Sequence, residues 1–91
     1  MNIQVEFFGV PRQRAGTDVT TVELDKDKAY LSDVLLILAD RFPELSETCF
    51  DGGRLRSGFV ANVDGRRFVT DPHTPLSDGE SLLIMSADAG G

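Results

Sequence analysis

The chain has 91 residues, of which 41% are hydrophobic, a single cysteine and a formal net charge of −6. That length makes one domain with one core, and with no apolar run near about 18 residues a transmembrane helix is excluded. The lone Cys49 cannot form an internal disulfide or a metal cage, and the acidic balance argues against nucleic acid and anionic membrane surfaces. A protein partner with a basic docking surface is the better match to that charge. With no basic segment ahead of the first strand pattern, we expect a cytoplasmic protein without a secretory signal.

Ile3, Val5 and Phe7 alternate with Gln4 and Glu6, the period of a half-buried strand. Phe8 breaks the alternation and is expected on the other face. The stretch from Pro11 to Asp18 reads as a turn, after which Thr20, Val22 and Leu24 alternate again. These two runs predict a hairpin.

The period then changes. Leu31, Val34, Leu35, Leu38 and Phe42 recur at the spacing of a helix with one buried face. Asp33 suits the positive end of the helix dipole, and Pro43 marks the stop. Glu44 to Gly58 is polar, contains Gly52-Gly53, and reads as an irregular connection with room for a short helical turn. Phe59 to Val63 is a strand, Asp64-Gly65 a hairpin turn, and Arg66 to Val69 the return. Residues 71–75 form a loop, Leu76 a core anchor, and Ser77-Asp78-Gly79 a turn into a last strand, Ser81 to Met85. The order β-β-α-β-β-β, with one main helix packed across a mixed sheet of about five strands, predicts an α+β chain of the β-grasp, ubiquitin-like architecture.

The sequence closes on Ala89-Gly90-Gly91 after a short run without bulky side chains. We expect a domain over residues 1–85 and a flexible tail over 86–91 that reaches about 20 Å if extended. Glycine lacks a Cβ, so such an end can enter a narrow channel.

Several blocks in this order resemble the MoaD/ThiS family of sulfur carriers. The opening from Val5 to Gly16 is similar to that family's strand followed by F-x-x-x-R-x-x-x-G. Arg41-Phe42-Pro43-Glu44-Leu45 is similar to its helix exit, and Pro75-Leu76-Ser77-Asp78-Gly79-Glu80 to the approach to its last strand. The diglycine is the fourth block, and together they span nearly the whole chain. Many members carry an aromatic and prolines where this chain has Met85-Ser86-Ala87, so here a methionine is the expected docking contact.

The resemblance implies that Gly91 is the reacting residue, with Gly90 and Ala89 read by the activating enzyme. An adenylyltransferase of the MoeB/ThiF type would use ATP to convert the Gly91 carboxylate to an acyl-adenylate, and sulfur would replace AMP to give a thiocarboxylate. The favoured destination is molybdopterin, with this chain as a subunit beside a MoaE-like large subunit of a heteromeric sulfurtransferase. Other clients remain open: cysteine, thiamine or another sulfur metabolite, or protein conjugation. A β-grasp interaction module with an incidental diglycine is the alternative of another class. The carrier is expected to bind no cofactor and no metal and to have no catalytic centre of its own.

The remaining candidates read as structural. Cys49 has no neighbouring histidine in sequence and is expected to be inert, and His73 is a loop residue between Pro72 and Pro75. Gly52-Gly53 lacks the Lys-Ser/Thr that follows a phosphate loop. A β-grasp sheet leaves one face clear of the helix, and apolar side chains there would form a docking patch. Phe8, Val69 and Met85 are expected to form it, with Arg12 nearby.

Overall fold

The computed structural model describes residues 1–88. Its first strand, β1 (Asn2–Phe7), buries Ile3, Val5 and Phe7 and exposes the residues between them, as the alternation predicts. The expected turn that follows is instead a short helix, α1 (Val10–Ala15). Two local signals make it. Pro11 sits in the first turn, where its missing N–H has no helical partner to lose. Gly16 closes the helix in the left-handed region, at φ 76°, and donates its N–H to the Arg12 carbonyl at 2.9 Å. The next strand, β2 (Val19–Glu23), pairs antiparallel with β1, so the expected strand pair forms with a short helix in the connection where a turn region was expected.

A two-residue strand, β3 (Ala29–Tyr30), leads into the main helix, α2 (Leu31–Arg41). Leu31, Val34, Leu35 and Leu38 are its buried stripe. The Tyr30 N–H donates to Asp33 Oδ2 at 2.8 Å, which satisfies one donor at the helix start. That bond holds the Asp33 carboxyl below its ordinary range, and Lys26, 3.2 Å away, adds to the effect. At the other end Arg41 Nη1 donates to Thr20 Oγ1 and the Thr21 carbonyl, tying the helix to β2.

Residues 44–58 are more ordered than their polarity suggests. Pro43 stops α2 and opens α3 (Pro43–Cys49), which buries Leu45 and Cys49. A two-residue ladder, β4 (Phe50–Asp51) with β5 (Arg54–Leu55), follows. Only a few apolar anchors hold this region, too sparse to set a visible period, yet Leu45, Cys49 and Phe50 are all in the core.

The hairpin of β6 (Phe59–Val63) and β7 (Arg67–Val69) turns at Asp64-Gly65, both at positive φ (55° and 69°), as the tight turn requires. A short strand, β8 (Pro75–Leu76), pairs with β3, and β9 (Ser81–Ser86) ends the sheet. The five-stranded sheet runs β2-β1-β9-β6-β7. Its central pair, β1 and β9, is parallel, and the other neighbours are antiparallel. The helices and the core lie on one face. This is the mixed sheet and β-β-α-β-β-β order of a β-grasp.

The sheet passes the expected domain limit at residue 85: Ser86 belongs to β9, and the Ala87 N–H donates to the Gly58 carbonyl at 2.8 Å. Ala89, Gly90 and Gly91, and the tail expected there, lie outside the described residues.

Candidate functional site

Strand alternation decides which side chains reach the face without helices. With Val5 and Phe7 in the core, Glu6 and Phe8 point away from it; with Leu82 and Ile84 in the core, Leu83 and Met85 do. Ala61 and Val63 are in the core, so Val60 and Asn62 project outward. Register aligns these residues in rows. Val19 pairs with Glu6, Glu6 with Leu83, Leu83 with Asn62, and Asn62 with Phe68, one row across all five strands. Beside it Met85 pairs with Val60, and the Phe8 N–H donates to the Ile84 carbonyl next to Met85.

The expected patch of Phe8, Val69 and Met85 therefore needs correction. Val69 pairs with Ala61 and packs against the core. Phe68 is the outward residue of β7, and it is 59% exposed. A two-residue loop at Asp64-Gly65 would pair Val69 with Val60 and turn it outward. The observed pairing of Val63 with Arg67 leaves three residues in the turn. That shifts the register by one, and a one-residue shift exchanges the two faces.

Phe8 stands where expected, on the open face and 51% exposed. Met85 is on that face too, but it is only 7% exposed, the floor of the patch rather than its surface. Arg12, on α1, lines a shallow depression with Glu6, Phe8 and Val19, so it borders the face. A second groove on the same face is lined by Glu6, Asn62, Phe68, Leu83 and Met85. Phe68, Leu83, Asn62 and Glu6 lie on this face beyond the residues expected there. Leu83 was legible, because alternation from Met85 gives it the same face.

Cys49 is fully buried, and burial pushes its thiol from 9.0 up to about 11, with Arg14 pulling weakly the other way. At neutral pH it is a thiol, not a nucleophilic thiolate. His73 is an exposed loop residue whose ring meets Tyr30 edge-on at 6.2 Å. Among the described residues no group of three or more His, Cys, Asp or Glu could hold a metal, and no helix is long and apolar enough to cross a membrane.

Neither a family model nor a curated protein sequence matches the chain. Solved structures do. SAMP1 from Haloferax volcanii superposes with a TM-score of 0.80 at 22% identity, covering 100% of both chains. A Pyrococcus furiosus protein named for subunit 1 of a molybdopterin converting factor gives 0.75 at 26% identity, covering 94% of this chain and 97% of that one. The BexX/CysO complex of Amycolatopsis orientalis contains a chain matching at 0.71 and 20% identity, covering 98% and 99%. The likeness spans nearly the whole length of each, and the chain has the ubiquitin-like β-grasp fold.

Proposed function

We propose that the chain is a sulfur carrier and that the carboxylate of Gly91 is its reacting group. The observation that carries this reading is the end-to-end likeness to carrier and modifier proteins, joined to the Ala89-Gly90-Gly91 sequence that follows β9. A carboxylate is a poor electrophile until one oxygen becomes part of a good leaving group. A MoeB/ThiF-like adenylyltransferase supplies that group: the Gly91 carboxylate attacks the α-phosphate of ATP, pyrophosphate leaves, and an acyl-adenylate forms. Free sulfide from the sulfur donor then displaces AMP, forming the carbon–sulfur bond as the acyl–phosphate bond breaks, and leaves a thiocarboxylate. The carrier binds no cofactor itself, since ATP is held by the activating enzyme, and the reactions take place in the cytoplasm.

The client we favour is molybdopterin, with this chain as the small subunit beside a MoaE-like large subunit, in keeping with the likeness to the Pyrococcus furiosus protein. The full-length overlay on SAMP1, named a small archaeal modifier protein, favours a second reading, attachment of Gly91 to other proteins. In either case the partner meets the open face of the sheet. That face includes Phe8 and Met85, which sit beside the end of β9, after which residues 87 and 88 continue.

Intact mass spectrometry after incubation with the adenylyltransferase, ATP and a sulfur donor tests the carrier reading. An oxygen-to-sulfur exchange mapped to Gly91 is the expected result, and its absence with an active enzyme overturns it. Supplying the thiocarboxylated chain to a molybdopterin synthase large subunit, or to cell extract scored for isopeptide adducts, separates the two clients.

A further inference from the structure

The groove between β1, β9, β6 and β7 has one feature that an apolar docking patch does not require. Asn62 is 7% exposed, and its Oδ1 is buried without a hydrogen-bond donor among the described residues. A buried amide oxygen without a donor costs the protein stability, so its retention calls for a partner. The terminal torsion of asparagine is broad, and its rotation turns the oxygen toward the groove it lines. Two strands away in the same row lies Glu6, which forms no ion pair among the described residues. Leu83 stands between them, and two strand spacings put the Glu6 and Asn62 backbones about 10 Å apart.

We propose that this groove receives an arginine side chain from the docking partner. The apolar stem lies along Leu83 and Met85, and the guanidinium donates to the Glu6 carboxylate and to Asn62 Oδ1. Phe68, exposed at the rim, offers a ring face to the same cation. Arginine fits better than lysine because its planar fork carries five donors and can reach two separated acceptors, whereas an ammonium is a compact point charge. Asp64 at the groove's end and the chain's net charge of −6 favour a cation further.

The proposal deepens the reading of this face as the docking face, but its test needs neither ATP nor Gly91, so the two can fail separately. The ¹⁵N-labelled full chain is titrated with N-butylguanidinium, n-butylammonium and 1-butanol, and amide shifts are followed by NMR. Butylguanidinium is expected to shift the Asn62 side-chain amide and the Leu83 and Phe68 backbone amides saturably. It should bind more tightly than either other probe. Asn62→Leu and Glu6→Gln should each weaken it about tenfold, the scale of a hydrogen bond to a charged group. Glu6 is exposed, so the second variant keeps its fold even where the first needs a melt to verify it. Equal binding of 1-butanol, unchanged affinity in both variants, or no shifts in the groove overturns the proposal.

Discussion

Asn62 faces Phe68 across the β6–β7 hairpin, and that pairing puts Phe68 on the open face and Val69 against the core. The two neighbours in sequence should therefore respond oppositely to truncation. Val69→Ala is expected to cost about 1 kcal/mol of stability, the centre of the range for point mutants, and to leave adenylation untouched. Phe68→Ala should change stability by no more than about 0.5 kcal/mol while weakening partner-dependent adenylation. Urea denaturation and ATP–pyrophosphate exchange measure the two quantities. A loss of exchange in Val69→Ala alone would reverse the assignment of faces.

Met85 lies on the open face of the sheet but is nearly inaccessible. A charge there loses its hydration without gaining a partner, so Met85→Asp is expected to destabilise the fold by about 2–3 kcal/mol. It is a poor probe of docking. Phe8→Asp is a better one, since half of that side chain is already in water. It should keep the melting temperature close to wild type and lower affinity for the adenylyltransferase. Calorimetry and a binding titration on both variants check this pair.

Cys49 couples the core to pH at the alkaline end. Its thiol titrates at about 11 in the folded chain against 9.0 when free, because burial disfavours the thiolate. Between those values the unfolded chain has released a proton that the native one keeps. Stability should then fall as pH rises from about 9 toward 11. Cys49→Ala should flatten that limb and still accept sulfur at Gly91. Denaturation midpoints across the interval, beside thiocarboxylate formation at neutral pH, test both statements.

Asp33 acts at the acid end with the opposite sign. The Tyr30 N–H bond lowers its folded pKa below 3.8, so its contribution is complete above that value and disappears as pH falls through the folded pKa. Asp33→Asn keeps the shape but removes the charge from the helix start. It is expected to cost about 1 kcal/mol at pH 7 and less at a pH below the folded pKa of Asp33. Equal losses at both pH values would show that the charge is not what stabilises the helix.

Gly90→Ala adds a methyl group where an activating enzyme's channel is expected to admit only a chain without Cβ. Misplacing the reacting carboxylate by about 1 Å can cost about a hundredfold in rate, so exchange should fall by at least about that factor. Wild-type exchange in this variant would favour the interaction-module reading.

Within an element, the sequence alone was decisive. Alternation at Ile3, Val5 and Phe7 and the stripe Leu31, Val34, Leu35 and Leu38 identified strand, helix and buried side, because burial of one face leaves a period in the chain. The diglycine and the acidic charge are sequence properties as well. Relations between elements were not legible. Only the folded sheet decided that Val69 points inward, since a single additional turn residue, Arg66, reverses the faces of β7. Only packing decided that Met85 is covered, and that sparse anchors such as Leu45 and Cys49 order residues 44–58. Nor does any local pattern in the sequence place Glu6 and Asn62 in one row. They lie 56 positions apart in the chain, and they share a row because β9 pairs with both β1 and β6. Local periodicity records which side of an element is buried. Register and strand order depend on contacts between distant segments, and no local pattern encodes those.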